Sequence, residues 1–384
     1  MEDDWCGFDE ERCILMSEPI RVLQIMGIVE SGGVESVIMN YYRHIDRSKV
    51  QFDFVMHKGG NPRYIAEIKS LGGRVFEVTP YSKNIFVFTY EIYKVIKEGH
   101  YRIVHSNMNS MSGFPLFAAW LAGADVRILH NHTTDTKAEG VRTIIKRVLR
   151  PFARMFANQY WACSKLAGSW MYGKKAVDEG KVTIINNAID LSRFAFKQEI
   201  RDKLRKEMGL EGKFVVGHVG RFMKQKNHDF LIDIFAELVK QKPESVLLLI
   251  GEGPLFGHIR DKVKSIDLQD KVMFLGVRSD VAELYNAMDV FILPSFYEGL
   301  PVVGVEVQAN GLPFLCSDQV TNELCLSESL KMLSINECSS MWASCTLTFS
   351  SFLRGQVDYL IHTSFNISVE ARKIANLYNS YISK

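Results

Sequence analysis

The chain has seven cysteines, Cys6, Cys13, Cys163, Cys316, Cys325, Cys338 and Cys345, and no Cys-x-x-Cys pair. Scattered thiols without redox or metal-ligand spacing exclude a disulfide frame and a zinc site, and they suit a reduced, cytosolic compartment. Asp-x-Asp is also missing, and so is a Gly-x-Gly-x-x-Gly turn between strand and helix, which disfavours a nicotinamide enzyme. Long apolar runs are lacking too. The longest stretch without Asp, Glu, Lys or Arg, Ile103 to Ala124, holds His105, Asn107, Asn109, three serines and Pro115, too polar for a membrane span. The opening MEDDWCGFDEERCILMSEP is acidic and lacks the basic-then-apolar order of a signal peptide. Its first fifteen residues read as a disordered tail or a misplaced start, because Met16 directly precedes the first strand. Net charge is only +2, so there is no general case for a nucleic-acid partner.

What is present is ordinary for a globular protein: 384 residues, 47% hydrophobic and 23% charged, a length that suggests two domains. Strand and helix signals alternate, which predicts α/β architecture with parallel sheets covered on both faces. Strands are expected at Arg21–Gly27, Phe52–Met56, Arg74–Val78, Ile103–His105, Val126–His130, Tyr160–Cys163 and Val182–Ile185. A second series follows at Phe214–Val219, Val246–Ile250, Val272–Leu275, Val290–Leu293 and Phe314–Cys316. Both halves open alike, VLQIMG and VVGHVG each running into a loop and a helix. The expected organisation is a tail at 1–18, Rossmann-like domains at 19–190 and 191–365, and a last helix within 366–384. A hinge falls near 187–195, and a cleft lies between the carboxyl ends of the two sets of strands. The stretch from Thr321 to Leu360 reads only as mixed helix and loop.

Val290 to Pro313, VFILPSFYEGLPVVGVEVQANGLP, is the most informative stretch. A buried strand breaks at Pro294-Ser295, the chain turns through Glu298 and Gly299, and Pro301 suits the first position of a helix that Asn310-Gly311 ends. A helix N-terminus favours phosphate. Two carboxylates beside it make sense for a ligand that also offers hydroxyls. A nucleotide sugar has that make-up, with Glu298 accepting from the transferred sugar and Glu306 from the ribose. The bland reading is a pair of solvated carboxylates on a surface helix.

Glu298, seven intervening residues and Glu306, with Gly-Leu-Pro within and after, resembles the donor-site signature of family-four retaining glycosyltransferases of the GT-B fold. In that resemblance the donor-binding residues are Gly299, Leu300, Pro301 and Val302 with the two glutamates, and Arg221 and Lys226 of Gly220-Arg221…Lys226-Asn227 hold the diphosphate. It implies that no metal or other cofactor is needed. His130, at a strand end facing the cleft, matches a family histidine near the transferred sugar; His132 is the alternative, and His105 a weaker one. Gly33 borders the acceptor and phosphates, and Val277 and Arg278 stand where the family surrounds the base. Asn186 replaces the proline usual before Asn187, and the final helix is expected to return to the N-terminal domain. RILHNH and CSKLAGSWMYG are similar to segments of capsule and exopolysaccharide transferases. The implied activity is transfer of a hexose or N-acetylhexosamine, with retention, from a UDP-sugar to a glycan or lipid-linked acceptor. His130, Arg221, Lys226 and Glu298 are the expected catalytic residues. A nucleotide-sugar epimerase and a non-catalytic nucleotide-sugar-binding protein are the rival readings.

One more pattern concerns location. VRTIIKRVLRPFARMF, Val141 to Phe156, sets Arg142, Lys146, Arg150 and Arg154 four residues apart, with Arg147 beside them and apolar residues between. These five cations are expected either to be solvated or to rest on an anionic membrane surface, making a cytoplasmic protein peripheral at the inner face of the membrane.

Overall fold

The computed structural model describes residues 18–27, 33–133, 141–352, 354, 360 and 363–382, with only the backbone at 141–144. The expected tail, up to residue 17, therefore lies outside the described residues, as does the side chain of Arg142.

Strands of the first half are β1 (Ile20–Ile25), β2 (Val50–His57), β3 (Val75–Val78), β4 (Ile103–Ser106), β5 (Val126–Asn131), β6 (Gln159–Ala162) and β7 (Thr183–Ile184). Those of the second half are β8 (Phe214–Val219), β9 (Ser245–Ile250), β10 (Val272–Gly276), β11 (Val290–Leu293), β12 (Phe314–Ser317) and β13 (Leu330–Leu333). They form sheets of seven and six strands, ordered β3-β2-β1-β4-β5-β6-β7 and β10-β9-β8-β11-β12-β13. All pairings are parallel. In each sheet the order reverses beside its first strand, at β1/β4 and β8/β11. A parallel α/β sheet opens a binding crevice at that point, at the carboxyl edge.

Alternate residues of each strand face opposite layers. Val22, Phe52, Phe54 and Ile128 pack with Ile38, Tyr41 and Tyr42 of the helix Gly33–His44. Leu23, Ile25, Val55 and Val104 pack with Phe88, Ile92 and Ile96 of the helix Ile85–Glu98. In the second sheet Val216, Leu249, Val290 and Ile292 meet the helix His228–Gln241, while Val215, Leu248, Phe291 and Leu293 face the other way.

The chain crosses between sheets twice, side by side. Ile189 bridges Asn366, with Ile189 N–H donating to Phe365 O at 2.9 Å and Ile367 N–H to Ile189 O at 3.0 Å. After the return, the helix Ile367–Ile382 lays Ile367, Ala371, Ile374 and Tyr378 on the first sheet's core. Asn186 has a clear reason to replace proline. Its N–H donates to the buried Glu370 carboxylate of that helix at 3.2 Å, and its side-chain amide donates to Ser364. Proline has no N–H to give.

The 320–360 region departs from a helix-and-loop reading. Leu330–Leu333 pairs in register with β12 as the outermost strand, Phe314 opposite Leu330 and Ser317 opposite Leu333. Only four residues long and broken by Lys331, it is too brief to carry a strand signal. Pro151 neither splits nor ends its helix, which runs unbroken over Val141–Phe156.

Candidate active site

The loop after β8 and the loop after β11 leave neighbouring strands at the carboxyl edge of the second sheet, so topology alone brings them together. Phe296 N–H donates to Gln225 O at 2.9 Å and ties one loop to the other. Across this junction Lys226 Nζ lies 2.6 Å from Glu298 Oε1, with the two side chains only 15% and 9% exposed. The same carboxylate accepts from Ser295 Oγ at 3.0 Å and from Gln225 Nε2 at 3.1 Å. Two residues assigned from separate motifs thus hold one another, with Gln225 and Ser295 fixing the geometry.

Glycines permit this stacking of loops. A Cβ on Gly220 would stand 3.2 Å from the Lys226 stem, and one on Gly251, at φ +132°, would lie 2.2 Å from Gly220 O. Arg221 occupies the same loop with its side chain exposed.

Beyond Glu298 the loop turns towards the first sheet. A Cβ on Gly299 would be 2.9 Å from His132 O, and Leu300 O accepts from Asn187 Nδ2 at 2.6 Å. Pro301 sits one position earlier than expected: its ψ of 122° is extended, so it caps the helix Val302–Ala309 instead of forming the first turn. A helix leaves its first amides without partners inside it, here those of Val302 and Val303. Glu306, a turn further on and partly buried, accepts from Tyr285 Oη at 2.8 Å. Burial pushes its pKa from 4.5 up to about 6, against the opposing pull of the Tyr285 hydroxyl and Arg193.

Other expected donor residues lie further off. Val277 is 56% exposed after β10, and Arg278 forks onto Asp280 at 2.8 and 2.5 Å. Two strands, β9 and β8, separate them from the Glu298 loop. Gly33 opens the first helix, and a Cβ there would meet nothing within 4 Å.

His130 belongs to a buried polar ring behind the cleft. Gln24 Nε2 donates to Tyr378 Oη at 3.2 Å, which leaves that hydroxyl to donate to His105 Nδ1 at 2.7 Å. His105 Nε2 then donates to His130 Nδ1 at 3.1 Å. Asn107 closes the circuit, donating to Gln24 at 2.9 Å and lying 3.0 Å from His132 Nε2. Burial holds His105 and His130 well below the usual histidine range and His132 at about 3, so all three are neutral at physiological pH. His130 Nε2 and His132 Nδ1 are buried without partners among the described residues. His132, nearer to Gly299, stands between His130 and the second half.

Of the five cations on the helix Val141–Phe156, Arg150 turns away from solvent. It donates to Trp170 O, and its guanidinium lies 5.6 Å from the Trp170 ring. Ile145, Val148 and Met155 on the same helix are 51%, 69% and 71% exposed, so apolar as well as basic groups reach the surface.

Two facing Rossmann-like sheets with this strand order define the GT-B class of glycosyltransferases. The model of Glycosyltransferase Family 4 matches residues 31–193 and that of Glycosyl transferases group 1 matches residues 200–324, and the chain belongs to this family. Among relatives, EpsF of Bacillus subtilis (strain 168), named as a glycosyltransferase, is 35% identical over 370 residues, 94% of this chain and 96% of its own. The UDP-Gal:alpha-D-GlcNAc-diphosphoundecaprenol alpha-1,3-galactosyltransferase of Escherichia coli is 26% identical over 77% of this chain and 78% of its own. Anabaena HepE, solved in complex with UDP and glucose, has the same fold at a TM-score of 0.78 and 21% identity, covering 94% of this chain and all of its own.

Sequence reasoning missed Gln225, Ser295, Tyr285 and Asn187 as partners of the candidate residues. No spacing rule connects them: Gln225, Ser295 and Asn187 lie in stretches read for other reasons, and the Tyr285–Glu306 bond depends on how two helices pack.

Proposed function

We propose that the chain transfers a hexose or N-acetylhexosamine from a UDP-sugar to a hydroxyl of a glycan or lipid-linked acceptor, with retention, in surface polysaccharide synthesis. The observation that carries this reading is the Lys226–Glu298 pair at the carboxyl edge of β8 and β11, with Glu298 one residue before Gly299, which approaches His132 O of the first half. A nucleotide sugar offers each partner what it takes from the other, phosphate oxygens for Lys226 and sugar hydroxyls for Glu298. Arg221, on the same loop, adds a second cation, and the Val302 and Val303 amides add the positive end of a helix. These groups stabilise the diphosphate as it departs, a preorganised electrostatic contribution. No side chain need attack the anomeric carbon: the acceptor hydroxyl approaches on the face the diphosphate leaves and gives its proton to the departing phosphate oxygen. Glu306 accepts from the ribose. His132 stands nearer the donor loop than His130, which lies buried behind it, and both are neutral. UDP as the nucleotide is supported by the UDP-Gal in the name of the E. coli protein and the UDP bound in the Anabaena structure.

A thermal-shift screen of wild type against nucleotide sugars tests the reading. A UDP-sugar at a hundred times its dissociation constant stabilises by about 2.7 kcal/mol, visible as a rise in Tm. No shift with any UDP-sugar, or an epimer formed from donor alone, contradicts it.

A further inference from the structure

The two halves meet at one more place besides the Gly299–His132 approach. The helix Lys165–Tyr172 follows β6 at the carboxyl edge of the first sheet. Its cap, Ser164, accepts from Ala167 N–H at 3.1 Å through Oγ and from Gly168 N–H at 2.9 Å through its carbonyl. The two amides before these have no partner in their own helix. A residue of the other half takes them: Lys165 N–H donates to Glu323 Oε2 at 3.0 Å and Leu166 N–H to Glu323 Oε1 at 3.2 Å. One carboxylate thus covers both, at the end of a helix that favours negative charge.

Glu323 lies in the short turn Asn322–Leu324, after β12 at the carboxyl edge of the second sheet. Thr321, 6% exposed, steadies it: its hydroxyl accepts from Glu323 N–H at 3.3 Å and lies 3.3 Å from Glu323 Oε1. Leu324 joins the turn to the donor side. Its carbonyl accepts from Gln308 Nε2 at 2.9 Å, and a Cβ on Gly304 would stand 2.8 Å from its side chain. Gly304 and Gln308 belong to the helix Val302–Ala309, which carries Glu306 and continues the Glu298 loop. On the receiving side Cys163, two residues before Lys165, lies under that loop, its Sγ 3.6 Å from a Cβ on Gly299. The Glu323 and Gly299 contacts therefore form one seam.

We propose that Glu323 is a positioning residue that latches the halves together and holds the donor loop against the edge of the first sheet. Ser164 caps the helix without it, so the carboxylate serves the junction. The latch stands on these contacts alone, and its use in bringing donor to acceptor rests on the transferase reading above.

Alkylation of the full chain by N-ethylmaleimide, followed cysteine by cysteine in a mass spectrometer, measures how often the seam opens. Cys163 is fully buried, and burial pushes its pKa from 9.0 up to about 12, so it reacts when the halves part. Cys316, equally buried within β12, reports unfolding of the second half. Glu323→Ala should speed Cys163 labelling about tenfold, the scale of losing a helix cap, and Glu323→Gln, which keeps an acceptor without charge, should speed it less. Cys316 should label as in wild type, and hydrogen exchange of the peptide holding Gly299 and Leu300 should rise in step with Cys163. Unchanged Cys163 labelling overturns the latch. Equal acceleration at Cys163 and Cys316 makes Glu323 a contributor to overall stability only, and faster Cys163 without faster exchange at Gly299 and Leu300 means fraying of one helix; either result overturns it too. Calorimetric titration with UDP keeps the donor reading separate, because Glu323→Ala should bind UDP like wild type. If neither binds UDP while labelling follows the expected order, the latch stands and the donor reading falls. Loss of UDP binding in Glu323→Ala alone would put Glu323 in the donor site and sink the latch.

Discussion

Lys226→Met is expected to lower turnover by about 10²–10³-fold, the scale of removing one preorganised group from a developing negative charge. It should also destabilise the fold, because Glu298, 9% exposed, loses its cation and keeps Ser295 and Gln225 as its side-chain partners among the described residues. Breaking a buried pair from one side costs about 3–5 kcal/mol, and the partial exposure here places the expected loss near the lower figure. The double variant Lys226→Met/Glu298→Gln separates the two effects. It removes both charges, so its denaturant midpoint should return most of the way to wild type while its turnover stays low. Chelation with EDTA should leave wild-type turnover unchanged if, as proposed, the cations and helix amides serve the diphosphate in place of a metal. A double variant that recovers activity along with stability would make the pair structural, and loss of activity on chelation would reveal a metal.

Glu306 carries the second large effect, and its sign follows from burial. A carboxyl whose pKa rises from 4.5 to about 6 on folding is easier to bury protonated. Its contribution to stability is complete below the unfolded value and is lost as pH rises through the folded one. The shift corresponds to about 2 kcal/mol at neutral pH. Glu306→Gln keeps an acceptor for the Tyr285 hydroxyl and has no charge to bury. It should unfold at a higher denaturant midpoint than wild type above about pH 7, and at the same midpoint below about pH 4. Donor binding should run the other way. Only the ionised carboxylate accepts from both ribose hydroxyls, so wild-type affinity for UDP-glucose should rise about tenfold between about pH 5 and 7, and the Gln variant should be flat. UDP-glucose suits the test because its diphosphate diester does not titrate there. With Glu306 on the ribose as proposed, residue and ligand would pull in opposite directions, a stability loss traded for binding.

How far the sequence could be read depends on which distances matter. Buried parallel strands appear as apolar runs, so FDFV in β2 and VFIL in β11 were legible, whereas LKML in β13 was too short and too mixed. The spacing of Glu298 and Glu306 survives translation into structure because one loop and one short helix carry both. The Lys226–Glu298 pair spans 72 residues and exists only because β8 and β11 are neighbours, a fact of sheet order that local pattern does not contain. The polar ring of His105, His130 and Tyr378 likewise joins two strands to a helix near the end of the chain. Asn186 could be seen to depart from a proline pattern, but its reason, the Glu370 carboxylate, appears only when the last helix folds back.

Separate binding of nucleotide and sugar is the core of the account, and calorimetric titration of UDP and UDP-glucose into two variants measures it directly. Glu306→Ala should weaken both ligands by about 1.5–3 kcal/mol, the worth of hydrogen bonds to a charged group. Glu298→Gln should weaken UDP-glucose alone, with UDP bound as well as in wild type or better, since Lys226 is released to the phosphates. Wild-type affinity of Glu306→Ala for UDP, or an equal loss of both ligands in Glu298→Gln, would contradict the assignment of these two carboxylates to the two ends of the donor.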